Sequence, residues 1–237
     1  MAVLTDKGRG IRAMFDAIAP RYDLLNRLLS LGIDRRWRRV AVGQLRVPPG
    51  GLVLDMAAGT GDVALEIASR TPDSVRIIAE DFTQGMLLAG RPKLAASPYA
   101  QRIGLVNASC EAIPHPDGLF DGVTIAFGIR NVVDRAQGLR EICRVLKPGG
   151  RAVILEFSMP ANRLFGALYR FYFNRVLPFV GGLLSQRSAY RYLPDSVAAF
   201  PSQQAFKQMM AEAGFCGLYH RDLTFGIATV YVGERPV

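Results

Sequence analysis

The chain is short of cysteine. Cys110, Cys143 and Cys216 are the three in its 237 residues; they lie far apart and show no C-x-x-C spacing. An odd number at such intervals indicates neither a disulfide framework nor a zinc site, and it fits a reducing cytoplasm. Long apolar runs are also missing, so no stretch is expected to span a bilayer. Residues 1–15 hold Asp6, Lys7, Arg9 and Arg12 without the apolar centre of a secretory signal. Acidic residues are in the minority: 20 Asp+Glu against 29 Lys+Arg leave a formal charge of +9. A basic surface suits an anionic partner, whether nucleic acid, a lipid surface or an acidic protein. With 50% apolar and 21% charged residues the composition excludes a disordered chain. At this length a single α/β domain over residues 1–237 is expected.

What is present centres on Val53-Leu54-Asp55-Met56-Ala57-Ala58-Gly59-Thr60-Gly61-Asp62. An apolar run closed by glycine predicts a buried strand, and apolar side chains at helical spacing from Val63 to Ala68 predict a helix after it. The small residues between them let backbone approach a ligand, with the free N–H groups of the first helical turn pointing at it. Gly59-Thr60-Gly61-Asp62-Val63-Ala64 fits the relaxed dinucleotide fingerprint. Charge separates the readings, because a pyrophosphate wants an electropositive helix start, whereas Asp55 and Asp62 flank this turn and Glu80-Asp81 end the next strand. Carboxylates suit a cation. S-adenosyl-L-methionine is one, with a sulfonium, an ammonium and ribose hydroxyls for an acid about twenty residues on, where Asp81 stands. The plainer alternative is that Asp55 and Asp62 only cap the turn and the helix.

Ahead of this unit, Phe15, Ile18, Tyr22, Leu25 and Leu29 recur at helical spacing and predict one amphipathic helix. It is read either as packed on the core or as a lid over the cleft, with Tyr22 donating inward. Asp34-Arg35-Arg36-Trp37-Arg38-Arg39 then sets the only tryptophan among four arginines. That stretch reads as a solvated face, a membrane–water interface or a nucleic-acid patch. From 52 to 157 strand and helix patterns alternate: strands at 52–56, 75–80, 103–106, 120–127 and 152–157, with Lys147-Pro148-Gly149-Gly150 ending the helix before the last. This is βαβ repetition and a parallel sheet, whose ligands bind beyond the strand carboxyl ends. The rule nominates Ala57 to Gly61, Glu80-Asp81-Phe82, Ala108-Ser109-Cys110-Glu111, Ala126 to Asn131 and Glu156. After Pro160 an aromatic stretch from Leu164 to Leu184, punctuated by Arg163, Arg170 and Arg175, reads as a buried helix pair or as an insertion shaping an apolar pocket at a membrane. A helix over 205–213 and two strands around Leu223-Thr224-Phe225-Gly226 complete the sheet.

Several stretches resemble one family nearly end to end. They are Phe15-Asp16-x-Ile18-Ala19-x-x-Tyr22-Asp23 with Asn26; Trp37-Arg38; Asp55-x-Ala57-x-Gly59-Thr60-Gly61-Asp62; Phe127-Gly128-Ile129-Arg130-Asn131-Val132; Leu146-Lys147-Pro148-Gly149-Gly150; Leu155-Glu156-Phe157-Ser158-x-Pro160; Tyr190-x-Tyr192-Leu193-x-x-Ser196; and Leu223-Thr224-Phe225-Gly226. The chain resembles the ubiquinone/menaquinone biosynthesis C-methyltransferases, of the demethylmenaquinone methyltransferase type, within the class I S-adenosylmethionine-dependent fold. The resemblance implies an α/β, Rossmann-like seven-stranded sheet, mostly parallel with its last strand antiparallel and helices on both faces. It further implies a helical cap over 10–45, a substrate-side insertion over 160–200, and methyl transfer to a ring carbon of a prenylated quinol. Cofactor binding is expected at Asp55, Ala57, Gly59, Thr60, Gly61, Asp81, Phe82, Ser109, Cys110 and Ala126, with no metal. Ser109-Cys110 stands where the family usually has an acid or amide followed by alanine, and His115 where it usually has an aromatic or apolar residue.

Carbon methylation needs an electron-rich carbon in line with the sulfonium methyl, so the protein's part is alignment and stabilisation of a developing phenolate. Arg130, Asn131 and Tyr22 are the catalytic candidates. Arg130 offers fixed charge and cannot act as an ordinary base, and its alternative is a structural ion pair with Glu156. The expected setting is the cytoplasm, peripherally on the inner face of the membrane, without nucleic acid and with homodimerisation open. The menaquinone branch is preferred over a ubiquinone-branch enzyme acting on a polyprenyl methoxy-benzoquinol. An NAD-dependent reductase and a non-catalytic membrane-associated scaffold are the other classes weighed.

Overall fold

The structure, a computed structural model, describes residues 5–30, 32–160 and 187–237. Its strands are β1 (Leu52–Met56), β2 (Arg76–Asp81), β3 (Ile103–Asn107), β4 (Phe120–Ala126), β5 (Leu146–Phe157), β6 (Cys216–Leu223) and β7 (Ala228–Glu234). They form one seven-stranded sheet in the order β3-β2-β1-β4-β5-β7-β6. β1 pairs in parallel with β2 and β4, β2 with β3, and β4 with β5, while β7 runs antiparallel to both β5 and β6. The expected Rossmann-like sheet with an antiparallel last strand is therefore borne out. Strand order reverses between β1 and β4, and that switch point opens the crevice where ligands of such sheets bind.

The helices are α1 (Asp6–Ile18), α2 (Tyr22–Ser30), α3 (Asp34–Val42), α4 (Asp62–Arg70), α5 (Gln84–Ala95), α6 (Arg135–Val145), α7 (Arg187–Ala198) and α8 (Gln203–Glu212). Side chains of a strand alternate between faces, so Val53 and Leu54 enter different cores. Val53, Ile77 and Ala79 pack with Val63, Ala64 and Ile67 of α4 and Val42 of α3. Leu54, Val123, Ile125 and Ile154 pack on the other face with Leu139 and Ile142 of α6 and Phe206 and Met210 of α8.

Two expectations are corrected here. The single helix expected over 15–29 is two, because Pro20, which lacks an N–H, interrupts the ladder and leaves a 3₁₀ turn over Ala19–Arg21. Trp37 is not an interfacial residue: it is 4% exposed. Its ring packs among Val153, Leu155, Val230 and Val232, and its Nε1–H donates to Thr224 Oγ1 at 2.8 Å. Arg38 beside it is buried between Asp34 (2.9 Å) and Asp62 (2.7 Å), so one of the four arginines belongs to an internal ion-pair cluster while Arg35, Arg36 and Arg39 stay exposed. The aromatic stretch from Leu164 to Leu184 lies outside the described residues.

Candidate functional site

The turn after β1 keeps its shape through left-handed residues, Ala57 (φ 54°), Gly59 (φ 58°) and Gly61 (φ 85°), and Phe127 after β4 is another (φ 56°). Ala57 and Phe127 carry side chains in a region that L-residues avoid, a strain that structures retain at ligand sites. Neighbouring side chains crowd two of the glycines. A Cβ on Gly59 would stand 3.2 Å from Met86 Cε, and one on Gly128 only 2.5 Å from Ala57 Cβ.

These turns wall a cleft, open to solvent, beyond the carboxyl ends of β1, β2 and β4, closed on one side by Gly8, Phe15 and Tyr22 of α1 and α2. Of the expected residues it gathers Tyr22, Ala57, Gly59, Asp81, Phe82, Ser109, Cys110, Ala126 and Asn131 in its lining. Asp55, Thr60, Gly61 and Arg130 lie outside that lining. Thr83, Met86, Val132 and Val133 also line the cleft; Met86 was missed, although its place one turn into α5 was readable. Among the described residues, Asp81 and Glu111 are the charged ones of the lining, and both are acidic. Such a cleft repels a pyrophosphate and accepts a sulfonium, so the donor set fits S-adenosylmethionine.

Asp81 joins β2 to the glycine turn, accepting from Gly59 N and Thr83 N at 2.8 Å each. Burial raises its pKa to about 6, against the pull of those amides. Each oxygen still has a lone pair for a ligand hydroxyl. Asp55 is fully buried beneath the turn, where Thr124 Oγ1 donates to one oxygen at 2.8 Å. Its other oxygen has no side-chain partner among the described residues, and burial pushes its pKa to about 7. Asp62 does not cap α4, whose N-cap is Gly61 with no side-chain bond; it pairs instead with Arg38 and Lys93. Thr60 turns away from the cleft, donating to Asp23 Oδ1 at 2.5 Å. Lys93 binds Asp23 Oδ2 at 2.7 Å, so α2, the turn and α5 meet in one polar knot. Sequence reasoning missed Lys93, which no local pattern marks. His115 meets the buried Glu80 at 2.6 Å and lies outside the cleft lining.

The catalytic role expected for Arg130 meets a different arrangement. Its Nη1 bonds Glu156 Oε1 at 2.7 Å and also the Phe127 carbonyl, its backbone N–H donates to Glu156 Oε2 at 3.1 Å, and its guanidinium lies 5.4 Å from the Phe157 ring centre. Glu156 is wholly buried. The guanidinium braces the end of β4 on β5. Asn131 by contrast lines the cleft, with Tyr192 Oη donating to its Oδ1 at 2.9 Å.

Comparison with known proteins gives this geometry its family. The model of the ubiE/COQ5 methyltransferase family matches residues 1–235. The chain is 66% identical over 232 residues to the ubiquinone/menaquinone biosynthesis C-methyltransferase UbiE of Geobacter sulfurreducens, covering 98% of this chain and 91% of that one. It is 52% identical over 224 residues to the demethylmenaquinone methyltransferase of Thermus thermophilus, covering 94% and 100%. Among solved structures the cyclase SpnF superposes with a TM-score of 0.71 at 15% identity, over 100% of this chain and 98% of that one, a likeness of fold alone. The chain belongs to the ubiE/COQ5 methyltransferase family, and it is an S-adenosylmethionine-dependent C-methyltransferase of respiratory quinone biosynthesis.

Proposed function

We propose that the cleft methylates a ring carbon of demethylmenaquinol. The observation that carries this is the joining of two unlike ends in one cleft: the Asp81 carboxylate with the glycine turn, and the Asn131 amide beside the Phe127 ring. Phe127, backed by Phe157 at 4.5 Å and by the buried Trp37 at 6.2 Å, gives the cleft a fixed aromatic side suited to a bicyclic aromatic head group. The demethylmenaquinone methyltransferase of Thermus thermophilus supports the branch.

S-adenosylmethionine, when bound, supplies a methyl group on an electrophilic sulfonium. Asp81 would hold its ribose hydroxyls, and the backbone of Ala57 and Gly59, with Phe82, Ser109, Cys110 and Ala126, would shape its seat. Phe15, Tyr22 and Phe127 exclude water from the acceptor ring and fix its plane. The Asn131 amide and the Tyr22 hydroxyl serve the ionised quinol oxygen, where a fixed donor lowers the barrier by stabilising charge that the ring carbon must draw on. The reaction replaces one ring hydrogen by methyl, leaves S-adenosylhomocysteine, and releases one proton to solvent at the open mouth of the cleft. Arg130 holds this end of β4 in place and does not touch the acceptor.

The test incubates the purified protein and S-adenosylmethionine with demethylmenaquinol or a polyprenyl methoxy-benzoquinol and follows the product by mass spectrometry. Methylation of the former at the higher kcat/KM is expected; preference for the latter would move the enzyme to the ubiquinone branch. A melting temperature raised by NADH and not by S-adenosylmethionine would favour a reductase. The prenyl tail and the charge of +9 support peripheral attachment to an anionic membrane surface. No helix of the described residues is long and apolar enough to cross a membrane. Flotation with anionic liposomes, weakened by salt, is the expected outcome, and light scattering decides between monomer and homodimer.

A further inference from the structure

The Tyr-x-Tyr-Leu stretch at 190–193 has no part in the scheme so far, yet Tyr192 is the residue through which α7 reaches the cleft wall. Its hydroxyl donates to Asn131 Oδ1 at 2.9 Å. On the other side of the same amide, Nδ2 faces the Phe127 carbonyl oxygen at 3.4 Å. These neighbours agree on one orientation. A carbonyl oxygen only accepts, so turning the amide over would set Asn131 Oδ1 against the Phe127 oxygen, acceptor on acceptor, and would deny the Tyr192 proton its partner. Burial raises the pKa of the Tyr192 hydroxyl and keeps it in the protonated, donating form.

The consequence lies in what the cleft sees. Asn131 is 9% exposed, and that exposure is on the cleft. One N–H of its Nδ2 goes to Phe127, and the second, without an acceptor among the described residues, is left for a ligand. The left-handed backbone of Phe127 aims its carbonyl at two donors at once, Arg130 Nη1 and Asn131 Nδ2, so the acceptor that anchors the amide is itself held. We propose that Tyr192 is a positioning residue for methyl transfer, its hydroxyl locking the Asn131 amide so that an N–H, and not the amide oxygen, faces the acceptor's ionised oxygen. This rests on the reading of the cleft as a quinol methylation site. An amide oxygen in that place would repel the charge that the reaction develops. The role differs from packing, because it is transmitted entirely through Asn131.

Tyr192→Phe keeps the ring and removes the donor. With the full-length protein, S-adenosylmethionine and demethylmenaquinol, we expect kcat to fall about tenfold, the scale of one uncharged hydrogen bond. The KM for the quinol and the Kd for the cofactor should stay within about twofold, since the lost interaction acts on developing charge. Asn131→Ala should lower kcat at least as much, and adding Tyr192→Phe to it should have no further effect, because the intermediary is gone. Independent, multiplying losses in the double variant would overturn the proposal, as would an unchanged kcat in Tyr192→Phe. A separate readout needs no turnover: in 15N-labelled free protein the side-chain NH2 resonances of Asn131 should be distinct and slowly exchanging, and should collapse or shift in Tyr192→Phe. Identical resonances in the two proteins would refute the lock. A wild type that methylates no quinol while those resonances respond would refute the substrate assignment and leave the lock standing. Should Tyr192→Phe fold poorly, Tyr192→4-aminophenylalanine, whose amino group donates from the same reach as the hydroxyl, is expected to recover both the resonances and part of the rate; recovery of folding without either overturns the lock.

Discussion

Removing the Arg130 guanidinium tests whether that residue braces the cleft or acts in it. Glu156 is 0% exposed and accepts from Arg130 Nη1 at 2.7 Å, from Arg130 N at 3.1 Å and from Phe157 N at 2.8 Å. Arg130→Ala leaves the two backbone donors and takes away the only cation paired with that carboxylate among the described residues. Breaking a buried pair from one side costs about 3–5 kcal/mol, and in a chain of this size each kcal/mol lowers Tm by about 2–4 °C. Scanning calorimetry should therefore show a loss of about 6–20 °C. Replacing both partners, Arg130→Met with Glu156→Gln, removes the stranded charge and should restore most of the Tm and much of the rate, since the turn from Phe127 to Asn131 is again held without a buried ion. The reasoning is refuted if Arg130→Ala melts within about 2 °C of wild type while kcat falls by about 10²–10³, the scale for one donor to developing charge, and the paired substitution rescues nothing. Arg130 would then reach the reacting atoms.

Asp81 has its folded-state pKa raised to about 6, so S-adenosylmethionine affinity should weaken as pH falls through 6 and the carboxylate takes up a proton. Asp81→Asn should lower affinity by about 1.5–3 kcal/mol, the range for a hydrogen bond to a charged group, and flatten that pH dependence in calorimetry. Asp55 is raised from 3.8 to about 7 by burial. The fold thus favours its protonated form, and this contribution to stability is full below about pH 4 and lost as pH rises through 7; Asp55→Asn should remove that part of the slope in urea titrations from pH 5 to 8. Trp37→Phe removes the bond to Thr224 and should lower stability by about 0.5–1.5 kcal/mol without altering liposome flotation, because the buried indole does not touch a membrane.

The sheet was legible because its signals are local. Alternating apolar runs and the Gly-Thr-Gly turn placed β1 on its observed residues, and the Pro-Gly pair at 148–149 marked the close of α6. The long β5 was not, because it begins at Leu146 ahead of those glycines through pairing with Phe120, which only the folded sheet supplies. The arginine stretch misled for a similar reason: the acids that neutralise Arg38 are Asp34, a turn away, and Asp62, across the fold. At the cleft, strand-end residues such as Asp81, Ser109 and Asn131 followed from topology alone. The direction in which a side chain leaves that edge did not, and so Thr60 points to Asp23 and Arg130 to Glu156.

The place of β7 has a consequence for how the chain comes to exist at all. It lies between β5 and β6, so during synthesis the side of β5 away from β4 has no partner until Ala228 and the residues after it have been made. Throughout that interval a growing chain carries the apolar Val153-Ile154-Leu155 on an open strand edge, the kind of template on which nascent proteins misassemble. A ribosome that stalls before Ala228 would release a product with its described cleft residues all present and its sheet unclosed, which makes the final strand a checkpoint between making the binding machinery and having a closed sheet.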